Sequence, residues 1–102
     1  MSVESDPVIK QFREKISDND LKLVELLNKR IKLVGQLWEY KRARDIDVYA
    51  PAHEDWLITY VSRANKGPIS RDALHEIYRH MIEVTQHEAR CTLDATVEAG
   101  ER

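Results

Sequence analysis

The hydrophobic pattern between Ile9 and Lys41 predicts one long helix with a face turned toward a partner helix. Alternating steps of four and three residues from Ile9 reach ten positions, of which six are aliphatic and three are cationic. This spacing is the heptad pattern of helices that pack against one another. We call these positions the heptad seam, and they are Ile9, Arg13, Ile16, Asp20, Leu23, Leu27, Arg30, Val34, Leu37 and Lys41.

Two shorter helices are predicted after the long one. The segment 44–50 loses the helical period, and the proline that follows it disfavours helix at the preceding residue. A second helix is expected over 51–64, before the break Asn-Lys-Gly-Pro at 65–68, where the glycine is suited to end the helix. Ser70 is suited to cap a third helix, whose apolar stripe extends to Ala89. The fold class is therefore predicted as all-α.

The chain is expected to form one helical domain over residues 9–91. Residues 1–8 are predicted as a loose leader, although Asp6 and Pro7 suit the N-cap and first position of the long helix, which should run to about Arg44. Residues 92–102 show no sustained period and are predicted to fray.

Composition narrows the class of protein. The net charge of −2 over 102 residues gives no support to nucleic-acid binding, which usually requires a basic surface. No apolar run approaches the length of a membrane span, and the N-terminus lacks the features of a signal peptide. The single cysteine, Cys91, agrees with a reducing compartment. We expect a cytoplasmic protein.

The three cations of the heptad seam outnumber its one acid, Asp20. Burying a cation is costly unless an anion meets it, so we hypothesise that the missing anion is a ligand. A helix rises about 1.5 Å per residue, which puts Arg30 and Lys41 roughly 16 Å apart, close enough for two long side chains to hold a small dianion. The alternative is that these side chains extend along a bundle surface with their charged ends in water.

A symmetric dimer follows from the position of Arg13. It lies roughly 25 Å from Arg30 along the helix, so it cannot reach the same ligand from its own chain. An antiparallel second copy crossing near Leu23 and Leu27 would place its Arg13 opposite the interval between Arg30 and Lys41. The sequence therefore predicts a homodimer with shared sites.

Few other residues suggest chemistry. The three His-Glu dipeptides do not extend to the zinc motif H-E-x-x-H, and no Cys/His spacing fits a metal site. The apolar face of the second helix, extended back toward its start, places His53 and Glu54 on the inward side. Glu54 could equally be a first-turn acid that interacts favourably with the helix dipole, and His53 could lie in solvent. Thr85 interrupts the third helix's apolar stripe, and such a hydroxyl most often bonds to its own helix.

Taken together, these features resemble the all-helical chorismate mutases of the AroQ class. The resemblance covers roughly residues 9–90, and the spacing of Arg13, Arg30 and Lys41 within one helix is its most specific part. The supporting motifs are FREKI, LVELLNKRIKLV, WEYKRA, AHEDWL with Glu54, and NKGPISRDALHEIYRHMIE.

The resemblance implies an intertwined homodimeric bundle of three-helix chains, with two pockets that each use one arginine of the other subunit. It implies the conversion of chorismate, a dicarboxylate, to prephenate on the way to phenylalanine and tyrosine, with no cofactor or metal. A pericyclic reaction needs no nucleophile or general base, which agrees with the missing motifs. Catalysis would select a compact substrate conformer and stabilise charge as the ether bond breaks.

The resemblance also implies residue roles. Arg13 from the partner and Arg30 would bind carboxylates, for which a guanidinium group is suited. Lys41 would donate to the ether oxygen and a carboxylate. Glu54 would accept a hydrogen bond from the ring hydroxyl, and Thr85 would lie beside the ring carboxylate.

Three positions depart from the family pattern. Ala50 and His53 stand where the family usually has aspartate and arginine, and Ala89 stands where it usually has glutamine or glutamate as a second donor to the ether oxygen. Gln86 and Glu88 lie next to Ala89 and are the candidates to replace that donor. The candidate binding set therefore includes Glu88, His53 and, by position, Ala50 and Ala89.

These departures leave alternatives to a chorismate mutase open. One is a mutase or lyase acting on a related substrate, aminodeoxychorismate or isochorismate. Another is a non-catalytic regulatory domain of the same fold. A plain helical interaction module is a further alternative, but it leaves the three seam cations without a role.

Overall fold

The computed structural model describes residues 5–100, with side chains described for residues 5–95, and contains three α-helices in this range. They are α1 (Pro7–Ala43), α2 (Pro51–Ala64) and α3 (Arg71–Gly100), and the described residues contain no strand. The predicted all-α class is confirmed. Within residues 5–100, no helix combines the length and the apolar content needed to cross a membrane.

The start of α1 is set by Asp6. Its carboxylate oxygen Oδ1 accepts hydrogen bonds from the backbone N–H groups of Val8 at 2.8 Å and Ile9 at 3.4 Å. These are two of the donors that the first turn of a helix leaves without an internal partner. The predicted cap is confirmed. The predicted first helical position, Pro7, is also confirmed. Residues 1–4 of the predicted leader lie outside the described residues.

The end of α1 is a Schellman turn, one residue earlier than the predicted end at about Arg44. Asp45 has a φ of +56°, the left-handed conformation that closes such a turn. The N–H of Ile46 donates to the carbonyl of Lys41 at 2.9 Å, and the N–H of Asp45 donates to the carbonyl of Arg42 at 3.3 Å. Two of the last carbonyls of α1 are therefore satisfied, and the backbone at Lys41 is held.

The turn between α2 and α3 is organised by Asn65. Its side-chain oxygen accepts from the N–H of Gly67, and its amide donates to the carbonyl of Ile69, each at 2.9 Å. The predicted bounds of the second helix are confirmed, because α2 ends at Ala64; Gly67, with a φ of +77°, lies in the turn that follows. The Oγ of Ser70 accepts from the N–H of Ala73 at 3.2 Å, which confirms the predicted cap of α3.

The main apolar cluster joins the end of α1 to the middle of α3. Trp38, Ala89 and Leu93 are buried together, and Ile31, Val34 and Val48 pack against them. The structure thus differs from the sequence analysis beyond residue 91, because α3 continues to Gly100 and Leu93 is only 7% exposed. The four-residue spacing of Thr85, Ala89 and Leu93 continues the buried stripe into the segment predicted to fray.

The first part of α1 has no core of its own. The described residues divide into two compact units, one up to Arg30 and one from Ile31. In the first unit, no residue from 5 to 30 is buried. Its large exposed apolar side chains are Val8, Phe12, Ile16, Leu21, Leu23, Val24, Leu26 and Leu27. Helices in water derive most of their stability from packing an apolar face, and residues 5–30 bury no such face within the described part of the chain.

The buried stripe yields a stability prediction. We expect Leu93→Ala to lower the free energy of unfolding by about 2–5 kcal/mol, because it leaves a cavity beside Trp38. The matched control is Val84→Ala on the same helix, where the side chain is exposed and the expected loss is below about 1 kcal/mol. Urea unfolding at one protein concentration measures both. Equal losses for the two variants would contradict the assignment of residue 93 to the core.

Candidate active site

Lys41 lies in the last turn of α1, directly before the Schellman turn. Its side chain is half-buried, and its carbonyl accepts the N–H groups of Ile46 and of Arg44 at 2.9 and 3.1 Å. A cation at this end of a helix is favoured by the helix dipole. The side chain of Lys41 therefore extends from a backbone position that these two hydrogen bonds hold in place.

Glu54 is paired with Gln86. The Gln86 amide donates from Nε2 to Oε1 of Glu54 at 2.6 Å, so this hydrogen bond connects α2 to α3. Both side chains are half-buried. They lie in one surface hollow, which we call the Glu54 hollow; it is lined by Glu54, Asp55, Ile58, Arg79, Ile82, Glu83 and Gln86. The carboxylate predicted to accept from a ligand is thus held against a specific donor.

Thr85 is buried, at 1% exposure. Its hydroxyl donates to the carbonyl of Met81 at 2.7 Å, one turn back along α3. This is the helix-internal bond that the sequence analysis kept as an alternative. Donation by Thr85 to a ligand carboxylate would therefore require the hydroxyl to rotate away from Met81.

The structure distinguishes Ala89 from Glu88. Ala89 is 1% exposed and packs with Trp38 and Leu93, whereas Glu88 is exposed. The position where the family usually has a second polar donor is therefore turned inward, but has only a methyl group there. Glu88 lies on the outer side of α3 and outside the Glu54 hollow, so its position gives no support to the idea that it replaces the donor.

Ala50 and His53 lie at the start of α2. The helix begins without a side-chain cap at Ala50, whose carbonyl accepts from the N–H groups of His53 at 3.1 Å and Glu54 at 3.3 Å. The exposed His53 ring stacks on Trp56 with centroids 5.6 Å apart, and Trp56 stacks on Tyr60 at 5.2 Å. The structure places His53 in this aromatic row, and it is not one of the side chains that line the Glu54 hollow.

Arg13 and Arg30 both lie on α1. Arg13 is exposed, next to the exposed apolar side chain of Phe12. Arg30 is half-buried. Among the described residues, no group of three His, Cys, Asp or Glu side chains is placed to hold a metal ion. Of the candidate site residues, the structure brings Glu54 into contact with Gln86.

The contact of Gln86 with Glu54 was not predicted from the sequence. Gln86 was named only as a neighbour of Ala89. A signal was present, because Gln86 lies four residues after Ile82, a member of the apolar stripe of α3. A polar residue at that register faces the packed side of the helix, where it needs a hydrogen-bond partner.

Comparison with known proteins identifies a family. The family model described as chorismate mutase type II matches residues 12–89. A bifunctional chorismate mutase/prephenate dehydratase from Aquifex aeolicus is 31% identical over 78 residues, which is 72% of this chain and 22% of that protein. The T-protein of Haemophilus influenzae is 29% identical over 75 residues, 72% of this chain and 20% of that protein.

A second bifunctional chorismate mutase/prephenate dehydratase, from Stutzerimonas stutzeri, is 22% identical over 79 residues and is covered to 22% of its length. The chain thus spans about a fifth of the length of the curated relatives it matches. The family model, in contrast, covers well over half of the chain, from the first turns of α1 to the middle of α3. The chain therefore belongs to the chorismate mutase type II family.

Proposed function

We propose that this chain is a chorismate mutase, an isomerase that converts chorismate to prephenate in the biosynthesis of phenylalanine and tyrosine. The main support is the family match over residues 12–89, which includes Arg13, Arg30, Lys41 and Glu54. The names of the two bifunctional relatives include this activity. Their prephenate dehydratase activity is not assigned to this chain, which spans only part of them.

The chemistry of the candidate residues suits this reaction. The rearrangement breaks an ether bond and forms a carbon–carbon bond within one molecule, so it needs no nucleophile and no net proton transfer. The enzyme has to hold the flexible dianion in its reactive conformation and to stabilise the negative charge that develops on the ether oxygen. Cationic donors and a single acceptor are sufficient for both tasks.

Each residue has a proposed role. Arg30, and Arg13 of the partner subunit, bind the two carboxylates, and Lys41 donates to the ether oxygen and to a carboxylate. Glu54 accepts a hydrogen bond from the ring hydroxyl. Thr85 lies beside the ring carboxylate; the bond from its hydroxyl to Met81 has to be exchanged for this contact.

A homodimer is part of the proposal. Residues 5–30 contain no buried side chain, and the large apolar side chains of Phe12, Ile16 and Leu23 are each more than half exposed. A second copy of α1 packed along this face would cover the apolar side chains and would supply Arg13 to the other subunit's site. We place the reaction in the cytoplasm, because the single cysteine, Cys91, is free, as expected in a reducing compartment.

The cations yield the first activity prediction. We expect Arg30→Ala and Lys41→Ala each to lower kcat/KM for chorismate by about 10²-fold or more, because each removes a charged donor from the transition state. The matched control is Lys32→Ala, an exposed lysine on α1 outside the heptad seam, which should retain wild-type activity. Loss of chorismate absorbance measures turnover.

Two outcomes of this assay would contradict the proposal. If the wild-type protein does not convert chorismate, the proposed function is wrong. If it converts isochorismate or aminodeoxychorismate instead, that compound is the substrate. Unchanged turnover by both variants would show that the site lies elsewhere.

The apolar face of α1 yields a prediction about assembly. We expect the wild type to sediment as a dimer of 11.9 kDa chains, and Leu23→Glu to shift it toward the monomer, because a charge would enter the apolar interface. Lys22→Glu adds the same side chain at the neighbouring position outside the seam and should leave the dimer intact. A monomeric wild type, or equal effects of the two variants, would contradict the dimer.

Sharing of sites between subunits is tested by mixing variants. Inactive Arg13→Ala and Arg30→Ala proteins should regain activity when their subunits are exchanged, because each heterodimer then contains one intact site. About a quarter of the wild-type activity is expected if half of the dimers are mixed and each has one site of two. No recovery despite subunit exchange verified by mass spectrometry would exclude a shared site.

A further inference from the structure

The hydrogen bond between Gln86 and Glu54 links a side chain of α3 to a side chain of α2. It joins two half-buried side chains 32 positions apart in the sequence, at 2.6 Å. The carboxylate of Glu54 is therefore fixed in orientation by a residue of the neighbouring helix.

The geometry leaves acceptor atoms for a ligand. The Gln86 amide donates from Nε2 to Oε1 of Glu54. The second carboxylate oxygen of Glu54, Oε2, can therefore accept a hydrogen bond from another donor. The other charged side chains that line the Glu54 hollow are Asp55, Arg79 and Glu83. Two of these three are acids, so a second carboxylate at position 86 would add to an existing negative charge.

We propose that Gln86 is a positioning residue, which holds Glu54 in the orientation that accepts the ring hydroxyl of chorismate. This inference rests on the proposed function, because it assigns Gln86 a task only if Glu54 binds substrate. Gln86 acts through Glu54, and its loss affects substrate binding more than the chemical step. Because Glu54 and Gln86 are only half-buried, their hydrogen bond contributes less to the free energy of unfolding than the apolar cluster around Trp38.

Replacement by leucine tests the positioning role. We expect Gln86→Leu to raise KM for chorismate about three- to tenfold with less than about a twofold change in kcat, because the loss of one hydrogen bond weakens ground-state and transition-state binding equally. The matched control is His87→Leu, the next residue of α3, which is exposed and contacts Cys91. Both variants should unfold at the wild-type temperature within a few degrees.

Replacement by glutamate provides a readout that a purely structural role would not change. Two carboxylates at hydrogen-bond distance are stable only when they share a proton. We expect kcat/KM of Gln86→Glu, relative to wild type, to rise about tenfold as the pH falls from about 8 to about 5. His87→Glu, with an acid directed elsewhere, should keep the wild-type pH profile.

The contact is also observable without substrate. In protein labelled with nitrogen-15, the side-chain NH₂ signals of Gln86, assigned by their loss in Gln86→Leu, should shift in Glu54→Ala. No shift, or a wild-type KM for Gln86→Leu together with a flat relative pH profile for Gln86→Glu, would overturn the inference and leave the proposed function intact. Wild-type protein without chorismate turnover would overturn the proposed function, and the positioning role with it.

Discussion

The uncovered apolar face at the start of α1 is the constraint on which the rest of the molecule depends. A helix of this length can begin and end through local bonds, as it does at Asp6 and Asp45, but such bonds are worth only about 1 kcal/mol each. They do not offset the exposure of Phe12, Ile16 and Leu23 to water. We therefore propose that this segment is stabilised by association, in a dimer whose subunits share a site.

The fold could be predicted from the sequence because its signals are local. Asp6 and Ser70 are caps whose side chains bond within three residues, and the break after Ala64 follows from the Asn-Lys-Gly-Pro turn. Leu93 was misassigned for the opposite reason. Its burial depends on Trp38, 55 positions earlier in the chain, and a short apolar stripe near a terminus does not indicate such a contact.

The candidate site was predictable only in part. The seam positions of Arg30 and Lys41 follow from helical periodicity, but the partner of Glu54 does not, because it depends on how α2 and α3 are placed side by side. The same limit applies to Ala89 and Glu88. Periodicity alone left open which of the two faces inward, whereas the packing of Ala89 against Trp38 places Glu88 outside.

The two tryptophans of the chain lie in contrasting surroundings. Trp38 is 6% exposed inside the apolar cluster, and Trp56 is 56% exposed in the stacked row with His53 and Tyr60. An indole shielded from water emits at shorter wavelength than a hydrated one and is reached less easily by an ionic quencher. The intrinsic fluorescence of this protein is thus a sum of two separable signals, one from its interior and one from its surface.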